Sequence, residues 1–229
     1  MRAGLAFPAI HQAIADHVTI TPSILYVGTL VALLATRNPD GSTNISPMSS
    51  AFALFDRNVL GLTETIKGRE NAVRERELVI NFPTPELASR VEALARTKGR
   101  NPVPPHNVLL GYEFAPGKFD RAGFTPVASE LIRPERIAEC PIQLEAEVLD
   151  AHDPGAAWPD ERPESCRIIE TRVLRAHAHR HTVVPGTNHI DPAEWRPLLY
   201  VFRHDFGTGP DLGRTFKAEV SKALQRRRN

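Results

Sequence analysis

The chain has 229 residues, of which 41% are hydrophobic and 24% charged, which suits one large globular domain and excludes a disordered chain. Lysine plus arginine number 28 against 27 aspartate plus glutamate, a net charge of +1, so the basic excess of a nucleic-acid binder is missing. The longest apolar stretch, residues 24–35, falls well short of the roughly 20 residues of a membrane helix, and Gly28 and Thr29 interrupt it. Residues 1–12 have no long apolar core, so a cytoplasmic location is expected, with neither a membrane nor a nucleic acid as partner. Cys140 and Cys166 are too few for a disulfide framework or a metal site and read as free thiols in strands. The basic run Arg226-Arg227-Arg228 reads as a solvated tail.

The 20 prolines and 14 glycines favour short strands and turns over long helices. Ile10, Ile14 and Val18 recur at spacing four, which predicts a short helix over 8–18. Residues 26–37 read as a strand, Asn38-Pro39-Asp40-Gly41 as a turn, and 43–55 as the return strand. Asp56-Arg57-Asn58 then turns the chain into a third strand over 59–65, giving an antiparallel meander. Residues 68–77 are polar and helix-compatible, and 78–82 form a short buried strand. A helix is expected over 84–96, with Thr84 as cap, Pro85 at its first position and Leu87, Val91 and Leu94 as its apolar stripe. Residues 97–117 read as a long loop, a kind of segment that is often functional. A long strand follows over 136–150, where Ile142, Leu144, Ala146 and Val148 alternate with Gln143, Glu145 and Glu147. An acidic loop (151–165), a second long strand (166–184), a helical turn at 191–198 capped by Asp191, and a short exposed helix from Phe216 complete the chain. The inventory predicts a mostly β protein, a barrel with covering helices.

The common hydrolase, zinc-protease, P-loop and dithiol motifs are absent, and the glycines of 207–213 read as a turn. Two segments stand out. Asn44, Ser46, Pro47, Met48, Ser49 and Ser50 lie in a predicted strand, yet are polar and include a proline. Pro47 cannot donate to a ladder, so the strand must bulge or lie at an edge, freeing backbone groups beside hydroxyls that can read the polar edge of a planar ring. The second segment contains Thr63, Thr65, Lys67, Gly68, Arg69 and Asn71: hydroxyls at a strand end, two cations and the start of a short helix. Such an end favours a phosphate, although the same residues also read as a solvated polar turn.

Taken together and in order, several strings resemble the flavin reductase-like family, whose members have an FMN-binding split β-barrel. They are Tyr26-Val27-Gly28-Thr29, residues 31–36, residues 40–50, Lys67 with Glu70-Asn71, residues 78–81, Lys118-Phe119 with residues 122–126, and residues 139–145. The resemblance covers about residues 20–205 and implies a single domain over 1–229 with a C-terminal extension, 206–229. It implies a six-stranded antiparallel Greek-key split barrel with a few flanking helices, and a homodimer with FMN near the subunit interface. It also implies that residues 44–50 hold the flavin ring and residues 63–71 the phosphate. Many members carry a hydroxyl residue after the lysine of that turn, where Gly68 and Arg69 stand here.

His177, His179 and His181 alternate along a strand and share one face. They read as a half-exposed strand face, a lining for the flavin or nicotinamide side, or, least simply, a zinc site. Trp158 and Trp195 read as packing residues, Asp205 stands where an aromatic is common in the family, and Arg100 is a candidate for reaching a cofactor phosphate. The reading that follows is an FMN-dependent oxidoreductase taking hydride from NADH or NADPH. Its rival is a non-catalytic FMN-binding electron-carrier flavoprotein.

Overall fold

The computed structural model describes residues 17–22, 24–154 and 166–212. Most of the helix expected at 8–18, the helix expected from Phe216, Trp158 and Arg226-Arg227-Arg228 lie outside the described residues. In chain order the described elements are β1 (Val27–Leu30), β2 (Ala32–Arg37), β3 (Thr43–Met48), β4 (Ala51–Leu54), β5 (Arg57–Thr63), α1 (Lys67–Glu75) and β6 (Glu77–Phe82). A 3-10 turn, Pro85–Leu87, runs into α2 (Ala88–Glu92), followed by β7 (Thr97–Lys98), α3 (Pro105–Leu109), β8 (Glu113–Phe114) and α4 (Lys118–Ala122). Then come β9 (Pro126–Val127), β10 (Arg136–Ile137), β11 (Ile142–His152), β12 (Cys166–Ala178), β13 (Leu199–Val201) and β14 (His204–Phe206).

The main sheet runs β3-β2-β6-β11-β12-β5-β4 and is antiparallel throughout. It has seven strands, not the six expected, because the single return strand read over 43–55 breaks at Ser49-Ser50. Its halves, β3 and β4, lie at opposite edges of the sheet with only those two serines between them. Three peptide steps span at most about 11 Å, so the sheet has to curl until its edges approach, as in a half-barrel. The Gly61 N–H donates to the Ser50 carbonyl at 2.8 Å beside this joint. Pro47 sits opposite Leu33 on edge strand β3, one of the two placements open to a proline.

The strand read over 26–37 also divides. Val31 leaves the main sheet and donates to Leu198 O at 3.0 Å, and β1 pairs with β13 in a separate sheet of order β1-β13-β14. The expected turn forms at 38–42, where Gly41 takes φ +88° and Asn38 N donates to Ser42 O at 2.8 Å. The helix expected at 84–96 is shorter and begins as a 3-10 turn without a side-chain cap. The long loop read over 97–117 carries β7, α3 and β8.

Period-two alternation along β2 separates two cores. Ala32 and Leu34 join Leu60, Leu62, Leu78, Ile80, Ala146, Val148 and Ile169 inside the curl. Val31 and Leu33 face outward, where Val91, Leu94, Phe124, Ile137 and Leu198 cover them. Cys140 belongs to this outer cluster and not to a strand, and burial pushes its thiol well above the ordinary range. Gln143 and Glu145, expected on a polar face of β11, are buried too, at 4% and 0% exposure. Glu145 accepts from the Glu130 and Leu131 backbone N–H groups at 2.9 and 2.8 Å, which ties the 128–135 segment onto the sheet.

Asn81 on β6 joins the two layers. Its amide donates to Leu33 O and its side-chain oxygen accepts from Ile137 N, both at 3.0 Å and both buried. Asn81→Leu leaves Leu33 O and Ile137 N unpaired and should cost roughly 2–4 kcal/mol in urea unfolding, since each orphaned buried group costs about 1–3 kcal/mol. A loss below about 1 kcal/mol would show that the bridge carries little.

Candidate functional site

Two adjoining cavities open beside the β3–β4 joint, of about 380 and 330 Å³. They share Pro47, Thr63, Ile66 and Ala95 as a common wall. The smaller is bounded by Met48, Ser49, Ser50, Gly61, Tyr26 and Tyr200. The tyrosine rings meet edge to face with centroids 5.5 Å apart, and the Tyr26 hydroxyl lies 2.6 Å from Ser50 Oγ. The larger is bounded by Ser46, Thr65 and Lys67 on one side and by residues of the 94–118 segment on the other.

Eight of the residues singled out in the sequence therefore line the cavities: Ser46, Pro47, Met48, Ser49, Ser50, Thr63, Thr65 and Lys67. Asn44, Gly68, Arg69 and Asn71 line neither cavity. Asn44 donates to Ser46 Oγ at 3.0 Å. A Cβ on Gly68 would come within 2.8 Å of Ser46 Oγ, so glycine lets the start of α1 lie against β3. Arg69 pairs with Glu64 at 4.0 Å. Asn71 donates to Thr36 Oγ1 at 3.2 Å and to Asn38 Oδ1 at 2.8 Å, which holds α1 to β2 and its turn.

Lys67 is not bare. Its ammonium donates to Glu70 Oε1 at 2.6 Å, and Glu70 also faces Arg100 at 3.5 Å and Arg74 at 3.9 Å. The Lys67 hydrogen bond, reinforced by the charges of Lys67 and Arg100, holds the Glu70 carboxyl below its usual range. Arg100, the candidate for a cofactor phosphate, is placed on this carboxylate.

The far wall holds two cations that sequence reasoning passed over. Lys98 donates to Thr65 Oγ1 at 3.5 Å and lies 4.5 Å from the centroid of the Tyr112 ring. Lys118 is 3% exposed and donates to the Ile45 carbonyl at 2.7 Å, with no described carboxylate paired to it. Burial, and then the charge of Lys98, lower its pKa to about 8. Asn107, also 3% exposed, lines the same cavity, and its buried side-chain oxygen has no hydrogen-bond partner. Lys118 had entered the sequence reading only inside the family-like string Lys118-Phe119. Asn107 and Lys98 lay in what read as loop.

The histidines do not converge on the cavities. His177 Nε2 lies 2.7 Å from Glu145 Oε1, and His179 Nε2 lies 2.8 Å from the Ala138 carbonyl. The His179 and His181 rings meet at 5.5 Å. Trp195 and Asp205 line neither cavity.

No family model matches the chain. It is 42% identical over 201 residues to the uncharacterized protein YdfE of Bacillus subtilis (strain 168), covering 88% of this chain and 94% of that one. Among solved structures it is similar to the flavoredoxin of Desulfovibrio vulgaris (Miyazaki F), with a TM-score of 0.70 and 15% identity over 89% of this chain and 99% of that one. Nitrilotriacetate monooxygenase component B from Bacillus cereus gives 0.65 and 18%, over 87% and 99% of the two chains. The NADH:FAD oxidoreductase SgcE6 of Streptomyces globisporus C-1027 gives 0.54 and 12%, over 80% and 87%. These structural likenesses show the fold.

Charging Lys118 in its buried place costs the fold on the order of 3 kcal/mol. Below about pH 8 folded and unfolded chains both hold the proton and the cost is full. Between about pH 8 and 10.5 the unfolded chain holds more protons, so this residue makes stability rise with pH. Lys118→Met should be the more stable protein near neutrality and should lack that rise, as urea unfolding at about pH 7 and about pH 9.5 would show. Equal pH slopes in the two proteins would contradict the assignment.

Proposed function

Because the chain belongs to one family with YdfE and has the split-barrel fold of the flavin reductase-like proteins, we propose that it is a flavin-dependent oxidoreductase that holds FMN in the two joined cavities and takes hydride from NADH or NADPH. The observation that carries this reading is the pairing of unlike compartments along one wall. A ring-sized cavity with tyrosine faces and serine hydroxyls opens beside a cationic one. A ligand with a planar polar-edged ring and an anionic tail matches both.

The residues present fit such a group. At the joint after β3 the backbone leaves its ladder, and Ser49 and Ser50 offer hydroxyls and peptide groups to a ring edge. Tyr26 and Tyr200 bound the same space with apolar surface that excludes water. Thr63, Thr65 and Lys67 stand at the strand end and the first turn of α1, where unpaired helical N–H groups favour a phosphate. A bound flavin supplies the redox chemistry, so the protein needs no general acid or base and its work is holding and orienting. The names flavoredoxin and NADH:FAD oxidoreductase among the similar structures favour this chemistry and leave FMN and FAD both as cofactors to be compared.

The electron-carrier alternative shares the pocket and differs in the donor. NADH or NADPH oxidation that depends on added FMN supports the enzyme, whereas a flavin-loaded protein reduced by neither favours the carrier. Lys67→Ala should weaken FMN by about threefold to tenfold and riboflavin little, because only FMN carries the phosphate and a bond to it is offset by the Lys67–Glu70 pair it replaces. Calorimetry with both flavins checks this, and equal losses would remove Lys67 from the phosphate.

We also propose a homodimer. Strand β4 is an edge, and its hairpin exposes Phe52, Leu54 and Phe55 at 60%, 59% and 98%. A second copy covers that apolar surface most simply. Light scattering at micromolar concentration should return twice 25.4 kDa, and the mass of one chain would refute the dimer.

A further inference from the structure

We propose that Lys118 is a nucleophilic amine, placed in the larger cavity to condense with the carbonyl carbon of a small aldehyde or 2-oxo acid. The assignment goes beyond the flavin reading and does not rest on it.

Lys118 lines a cavity of about 380 Å³, a volume within the range of small-molecule sites. It is only 3% exposed, so a reagent meets it in the cavity and not on the outer surface. Its helix is fixed in place, because Phe119 and Ala122 of α4 pack into the outer core. The Lys118 Nζ donates to the Ile45 carbonyl at 2.7 Å, and no described carboxylate pairs with it. The kind of partner matters. A carboxylate holds the proton on an amine, whereas a carbonyl accepts from an ammonium and from a neutral amine alike. The other ionisable side chains that line the cavity are Lys67, Lys98 and Tyr112, and none of them is a carboxylate. On its own helix Asp120 and Arg121 are exposed. Burial, and then the charge of Lys98, bring the Lys118 pKa down to about 8. Near neutrality its free amine is then roughly a hundredfold more abundant than that of an ordinary lysine. Lys67 differs in its partner, since its ammonium faces the Glu70 carboxylate at 2.6 Å.

The condensation needs no further reactant. The neutral amine forms a C–N bond to the carbonyl carbon as the C=O π bond breaks, and a proton passes from nitrogen to oxygen. The C–O bond then breaks, the hydroxyl leaves as water with the second N–H proton, and a C=N bond remains. Ser46, Thr63 and Thr65 line the same cavity, and their hydroxyls are donors of the kind that carbonyl oxygen accepts.

The chain has five lysines, Lys67, Lys98, Lys118, Lys217 and Lys222, so alkylation can be followed at each. Glyoxylate and propanal are the probes, with cyanoborohydride to reduce the imine and peptide mass spectrometry to read the rate at every lysine. At about pH 7 Lys118 should react about tenfold faster than any other lysine. Its rate, divided by that of N-acetyl-lysine amide in the same tube, should fall about tenfold between about pH 8 and pH 9.5, because only the model amine is still losing protons there. Lys118→Met should lose the fast product, and Arg121→Ala, on the same helix, should keep it. Alkylation of Lys118 no faster than of Lys67, or a ratio to the model amine that does not change with pH, overturns the assignment. Both readings come from the unaltered protein, so neither depends on a variant that folds. A preference for glyoxylate over propanal, each relative to the model amine, assigns the site to an anionic carbonyl compound, and the reverse assigns it to a neutral aldehyde. The mass is read without flavin, so flavin binding and this site stand or fall separately.

Discussion

Two serines hold together the opposite edges of one sheet. Because only Ser49 and Ser50 separate β3 from β4, the seven strands cannot lie as an open layer, and the curl they are forced into creates an interior. Ten buried residues of the inner cluster, from Ala32 to Ile169, fill that interior. The seam where the edges meet cannot be filled in the same way, since β3 ends beside a proline and its backbone leaves the ladder. Both cavities share a wall at this seam, with Pro47 and Thr63 in common. The place where sheet pairing runs out is thus also the place where backbone groups are available to a ligand.

The second constraint is paid in stability. A methionine in place of Lys118 would bury a similar length of chain without desolvating a charge, yet the ammonium is kept against the Ile45 carbonyl. The charge of Lys98 acts on it from the same cavity, whose lining also includes Asn107 with a buried, unpartnered oxygen. Departures from good packing chemistry that cluster on one cavity wall mark a place arranged for something other than the fold's own sake.

Much of this was legible in the residues. The turn at 38–42, the strand at 78–82, the edge placement of Pro47 and the lysine that opens α1 all follow from local chemistry: a glycine with positive φ, a continuous apolar run, a missing N–H. Other features depend on partners far away in sequence, and no window of residues displays them. Asn71 looks like a ligand-facing amide in a polar turn, but Thr36 and Asn38, 35 and 33 residues distant, claim it. Gln143 and Glu145 read as a solvated face until the 128–135 segment is laid over them. Lys118 opens a short helix, and nothing near it in sequence marks it as buried; its partner, the Ile45 carbonyl, lies 73 residues earlier. The break at Ser49-Ser50 went unseen because both halves are strand-like, and only the pairing of each with a different edge divides them.

Glu70 gives the cationic cavity a resident counter-ion. Any incoming anion that engages Lys67 takes it from a carboxylate 2.6 Å away, so the contact is an exchange of partners and contributes only the difference between two ion pairs. Lys67 therefore keeps a carboxylate partner when no anion is bound, and a leaving anion is replaced there by a tethered one. Arg74 and Arg100 keep hold of Glu70 while Lys67 is engaged elsewhere, so the carboxylate stays in place for the return.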